Sequence, residues 1–115
     1  MDIVGSDRVT LRAGTSRYPM GFGFTACSSA TANDGSIPYS TTITAAAVIV
    51  LDAQGVDITS TAAENTIVTD GLNISCAFNY PSTAAEGRCK VLIQLTLSSG
   101  TVITKRWDGL YIGNN

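Results

Sequence analysis

The chain has 115 residues, a net charge of −2 and only 14% charged residues, well under the roughly 25% usual for soluble domains. Its length favours one domain with a real core, and its sequence pI near 4.7 offers no basic footprint for a phosphate backbone, so nucleic acid is not an expected partner. Histidine is absent, which removes the commonest metal ligand, the usual general base at neutral pH and the His-paired Ser and Cys nucleophiles.

Threonine, valine and isoleucine are abundant, whereas lysine and glutamate occur twice each. Branched Cβ atoms fit a pleated surface, and the residues that build solvated helix faces are scarce. The expectation is an all-β chain of about seven strands. The opening MDIVGSDRVT has neither the basic nor the apolar region of a secretory signal. The longest apolar run, Ala45 to Leu51, is too short to span a bilayer as a helix. Three cysteines, an odd number, suit thiols kept reduced in a cytoplasm.

In chain order, Ile3 to Leu11 supplies a first strand through Val9 and Leu11. Ala13 to Ser40 is rich in Gly, Ser, Thr and Ala, with Phe22 and Phe24 alternating with Gly21 and Gly23. That alternation suits a short strand around Met20 to Ala26, and the glycines imply a bulge or close backbone approach. Cys27 to Ser40 reads as a long loop. Ordering such a segment costs about 1–2 kcal/mol per residue, and each buried aromatic returns about 1.5–3 kcal/mol. Residues 13–40 are therefore expected to form an arm that orders on neighbouring subunits. The organisation is one domain: a strand and arm in residues 1–40, and a β-sandwich core in residues 41–115.

Ile43 to Leu51 reads as a strand apolar on both faces, through Ala46, Val48 and Val50 as well as Ile49 and Leu51. Its β-branched residues outweigh the helix preference of its alanines. Such a strand is central and covered on both sides, or has its outer face against another subunit. Ser60-Thr61-Ala62-Ala63-Glu64 recurs as Ser82-Thr83-Ala84-Ala85-Glu86. Both contain the Thr-x-x-Glu capping-box pattern, predicting one helical turn in each of two connections. Leu72 to Phe78 alternates, with Leu72, Ile74, Cys76 and Phe78 inward. Arg88 to Leu97 buries Cys89, Val91, Ile93, Leu95 and Leu97, and turns Lys90, Leu92, Gln94 and Thr96 outward. Ser99-Gly100 turns this strand into an antiparallel return over Thr101 to Trp107.

No chemistry-bearing constellation emerges. The turn aspartates Asp52, Asp57, Asp70 and Asp108 lack the calcium-loop pattern. There is no G-x-S-x-G elbow, no S-x-x-K, no C-x-x-C and no phosphate-cradling glycine loop. Neither a cofactor nor a metal is expected, and the chain is not read as an enzyme. Cys76 and Cys89, inward on neighbouring strands, read as small buried hydrophobes, with a disulfide as the alternative. The candidate interface residues are Phe22, Phe24, Tyr39, Val48, Val50, Arg106, Trp107 and Tyr111. Trp107 beside Arg106 stands out, because both types are enriched at interface hot spots; a core position for Trp107 is the competing reading.

Residues 43–112 resemble the small immunoglobulin-like sandwiches of tailed-bacteriophage virions, closest in pattern to fibre-tail adaptor and baseplate-type modules. The likeness rests on Val48-Ile49-Val50-Leu51-Asp52-Ala53-Gln54-Gly55, on Gly87-Arg88-Cys89-Lys90-Val91, and on Leu95 to Gly100 followed by Arg106-Trp107 and Leu110-Tyr111-Ile112. Cys89 stands where such modules often carry an aromatic. The resemblance implies a non-enzymatic connector, made in the bacterial host cytoplasm and joined in the virion to tail, portal or fibre subunits as a symmetric homo-oligomer. No membrane partner is implied. The alternative is a carbohydrate- or surface-binding adhesive module built on Trp107 and nearby tyrosines.

Overall fold

A computed structural model describes residues 8–64 and 66–113. The described residues are all-β, with one helical turn. Its elements are β1 (Val9–Leu11), β2 (Tyr18–Gly23), β3 (Ile43–Leu51), α1 (Thr59–Ala62), β4 (Val68–Asp70), β5 (Asn73–Phe78), β6 (Gly87–Arg88), β7 (Lys90–Leu97), β8 (Val102–Trp107) and β9 (Leu110–Ile112). They form three three-stranded sheets, ordered β2-β5-β4, β3-β7-β8 and β1-β9-β6. All pairings are antiparallel except β1 with β9, which is parallel. Cys89 separates β6 from β7, and its N–H donates to the Leu110 carbonyl at 2.8 Å. Asp108 and Gly109 separate β8 from β9 in the same way, so these four segments trace two interrupted strands.

One core joins the sheets. The inward residues of β5 and β7 are those that period-two alternation selects: Ile74, Cys76 and Phe78, then Val91, Ile93, Leu95 and Leu97. Trp107 of β8 is 3% exposed and packs edge-on against Phe22 of β2, with ring centroids 5.1 Å apart, and against Phe78 of β5 at 6.2 Å. The indole thereby ties the β3-β7-β8 sheet to the β2-β5-β4 sheet. The Ser99-Gly100 turn forms as expected: Gly100 takes φ +90°, and the Leu97 N–H donates to the Thr101 carbonyl.

Residues 13–40 depart from the arm expectation. β2 pairs along its whole length with β5, from Tyr18 opposite Phe78 to Gly23 opposite Asn73. Phe22, Phe24 and Ile37 are all buried in the core. The loop between Phe24 and Ile37 closes on itself, since the Ser36 and Ile37 N–H groups donate to the Thr25 carbonyl and the Cys27 N–H to the Ile37 carbonyl. Gly35 permits this closure, because a Cβ there would lie 2.5 Å from the Thr25 carbonyl oxygen. Asp34 accepts from the Ser28 N–H and hydroxyl at 2.9 and 2.7 Å. Backbone pairing with β5 over Tyr18–Gly23 and burial of Phe22, Phe24 and Ile37 anchor this segment within the chain itself. The part of the first expected strand that precedes Arg8 lies outside the described residues.

Three further expectations change. β3 is an edge strand, not a central one; β7 holds the centre of its sheet. The first Thr-x-x-Glu segment does form α1, but without a capping box. Thr61 Oγ1 donates to the Ile58 carbonyl, and Glu64 instead receives the Asn79 amide and pairs with Arg17. The second segment is a turn, closed by the Ala84 N–H on the Pro81 carbonyl. Cys76 lies on β5, whereas Cys89 falls between β6 and β7, neither of which pairs with β5, and both are free thiols, as is Cys27.

Candidate interaction surface

The outward face of β3-β7-β8 follows from the register. Cross-strand rows run Ile49–Leu92–Arg106, Ala47–Gln94–Thr104 and Ala45–Thr96–Val102, with Leu51 opposite Lys90 at one end. Ala45, Ala47, Gln94, Val102 and Thr104 are exposed, and Ile49, Leu51, Leu92 and Thr96 are half-buried. Val102 is 57% exposed. Side chains directly opposite on one face lie close enough to act as a unit. The result is a surface of small, aliphatic and neutral polar residues, with Lys90 and Arg106 at one end.

The β3 edge beside it is open in the middle and closed at both ends. The Gly71 carbonyl accepts from the Ile43 N–H, while Val50 accepts from the Ile58 N–H and donates to Thr59 Oγ1. Between them no strand is hydrogen-bonded to Ala46 or Val48 on this side among the described residues. Because antiparallel pairs alternate in their bonding direction, the backbone groups of these two residues share the outward direction of Val50.

Next to this face lies a hollow of about 160 Å³ lined by Leu51, Asp52, Arg88, Lys90, Arg106 and Asp108, among others. Asp52 is its buried carboxylate, 7% exposed, beside the buried Cys89. Its Oδ1 accepts from the Gln54 and Val56 N–H groups at 2.9 and 3.0 Å, and its Oδ2 from the Ala85 N–H at 3.3 Å. These donors, Val56 foremost, hold its carboxyl below the usual value. Asp52 thus staples the turn after β3 to the connection before β6, a structural task. Burial pushes the Cys89 thiol up to about 11, with the Asp52 charge adding to it. Burial likewise pushes Cys76 up to about 11. Neither thiol is an available nucleophile at neutral pH. Among the described residues, no cluster of three or more Cys, Asp or Glu side chains is arranged to hold a metal ion.

The predicted interface residues divide sharply. Phe22, Phe24, Val48, Val50 and Trp107 are buried in the chain's own core, so none of them presents a surface to a partner. Their apolar character reflects packing between the sheets. The burial of Trp107 also removes the main stacking platform of the adhesive-module alternative. Tyr39 is 51% exposed, but on the loop after Ile37, away from the other candidates in the topology. Arg106 is exposed at the end of the outward face, with Nε donating to Asp108 Oδ1 at 2.8 Å. Tyr111 lies half-buried on β9, with the Arg8 guanidinium 3.9 Å above its ring centroid.

Arg8, Arg88 and Lys90 did not stand out in the sequence. The alternation of Arg88 and Lys90 with inward Cys89 and Val91 placed them on the same side as Leu92, but nothing local indicated that Arg106 and Tyr111 would join them. No protein-family model matches the chain, and no curated protein or solved structure is significantly similar to it.

Proposed function

We propose that this chain is an immunoglobulin-like sandwich serving as a non-enzymatic structural protein of a phage virion, a connector or adaptor between tail or portal and fibre. The observation that carries the reading is the outward face of β3-β7-β8, made of small, aliphatic and neutral polar residues over most of its extent with its charges gathered at one end. Such a face costs little to desolvate and suits a lasting protein–protein interface better than an isolated monomer. The strand orders support the sandwich. If interrupted β6/β7 and β8/β9 each count as one strand, seven strands remain. Orders β2-β5-β4 and β3-β7-β8 then match the B-E-D and C-F-G sheets of that fold. The first strand differs, because it runs parallel beside the last. The virion assignment rests on the resemblance of residues 43–112 and on the Ser/Thr/Ala/Gly-rich, lysine-poor composition.

The test is mass spectrometry of particles released by cells that carry the gene, purified by density banding. Recovery of the chain at a fixed ratio to the major virion proteins supports the reading. Recovery only in the particle-free supernatant contradicts it.

A further inference from the structure

The end of the outward face gathers cations that outnumber the carboxylates beside them among the described residues. Arg8 and Arg88 both approach the Tyr111 ring, with guanidinium carbons 3.9 and 5.4 Å from its centroid. Arg88, Lys90 and Arg106 line one hollow. Four of the seven Lys and Arg residues therefore form one contiguous patch on a chain whose net charge is negative. Among the described residues, Asp108 is the one carboxylate in ion-pair contact with this patch, through Arg106. Asp52 also lines the hollow, with both oxygens bound by backbone N–H groups, so three cations there face two carboxylates.

Two of these guanidiniums are held in place. Arg88 uses Nε on Tyr111 Oη at 2.9 Å, and Arg106 uses Nε on Asp108 Oδ1 at 2.8 Å. Each internal bond fixes the plane of its guanidinium without using the two terminal nitrogens, which suit bidentate recognition of a carboxylate. Fixing the donors beforehand reduces the side-chain entropy lost on binding. Ile49, Leu51 and Leu92 adjoin the patch through the registers Leu51–Lys90 and Ile49–Leu92–Arg106.

We propose that this end of the face docks an acidic segment of a partner protein: its carboxylates engage Arg88, Lys90 and Arg106, and its aliphatic side chains lie on Ile49, Leu51 and Leu92. Charge complementarity selects the acidic partner, and the adjoining aliphatic surface favours a protein over a nucleic acid, which would need a longer basic track or stacked aromatics. The inference rests on the assembly reading above and names the chemistry of the partner.

The test is an amide chemical-shift titration of the full chain with three probes at physiological ionic strength. They are a peptide alternating glutamate and valine, its glutamine counterpart, and oligothymidylate. The expected result is saturable shifts confined to Ile49–Leu51, Arg88–Leu92 and Arg106–Tyr111 with the glutamate peptide, and at least about tenfold weaker binding of the glutamine peptide, a difference near 1.4 kcal/mol. The double variant R88A/K90A should lose this binding while keeping the amide spectrum of a folded chain. If it does not fold, R106Q takes its place with the same expectation. Equal binding of the two peptides, shifts centred elsewhere, or oligothymidylate binding as tightly as the glutamate peptide would each overturn the proposal. None of these results bears on whether the chain bands with virions, so the two readings fail separately.

Discussion

Replacing Phe22 with alanine tests most sharply whether residues 13–40 are part of the core. Phe22 is 1% exposed, opposite Ile74 in the β2–β5 ladder and edge-on to Trp107. Removing the ring forfeits about 1.5–3 kcal/mol of apolar burial and an aromatic pair worth about 0.5–1.5 kcal/mol. The surrounding sheets can close only part of the void, so the expected total loss is about 3–5 kcal/mol. Native domains hold about 5–15 kcal/mol in all, so this variant should be marginal, its Tm lowered by more than roughly 10 °C. Urea unfolding followed by Trp107 fluorescence, with far-UV circular dichroism in parallel, measures the change. A loss under about 1 kcal/mol would mean that β2 does not support the core. Residues 13–40 would then be the dispensable arm that composition alone suggests.

Gly109→Ala should unsettle the same indole from the other side. Its new Cβ would lie 2.5 Å from Trp107 Nε1, so a loss of about 1–3 kcal/mol and a red-shifted tryptophan emission are expected; an unchanged spectrum and midpoint would count against the packing described. Asp52→Asn tests the staple. Because the folded carboxyl titrates below its ordinary value near 3.8, its contribution is fully present above that pH and is lost as pH falls through the folded value. The variant should therefore be less stable at neutral pH and show a shallower acid limb. That limb will flatten rather than vanish, since Asp34, held down chiefly by the Ser28 hydroxyl, and Asp57, by the Thr59 hydroxyl, are shifted the same way. An acid limb as steep as the parent's would refute the role. Thiol titration of denatured, unreduced protein should find three free groups. In the native chain at mildly alkaline pH, half-buried Cys27 should react first, and Cys76 and Cys89 only as the protein unfolds; equal rates for all three would contradict their burial.

What was legible in the sequence was local. The alternation in residues 72–78 and 88–97 identified the inward residues of β5 and β7, and Ser99-Gly100 fixed the hairpin that follows. Glycine and aspartate at Asp70-Gly71 likewise marked the β4–β5 turn, where Gly71 has φ +64°. What sequence distance conceals is pairing. The Phe22-Gly23-Phe24 alternation was visible, but its partner, β5, lies some fifty residues along the chain, and without that ladder the segment looks too poor in apolar groups to fold. β3 misled in the opposite direction: Val48 and Val50 are apolar because they face the core, and Ala45 and Ala47 are small on a face that remains uncovered. The cationic patch depends on three strands and on Arg8, so no single stretch announced it. Trp107 carried two opposed readings, and the contacts with Phe22 and Phe78 decide for the core.

Hydroxyl-radical footprinting of the free chain and of purified particles tests the assembly account most directly. Ile49, Leu92 and Val102 lie on the outward face of β3-β7-β8 and retain exposure in the free chain, so each should oxidise there. In the particle all three should be protected together, while Tyr39, on its separate loop, provides an internal comparison. Equal oxidation of the three residues in both states would mean that this face meets no partner, and the account of it as an assembly surface would be wrong.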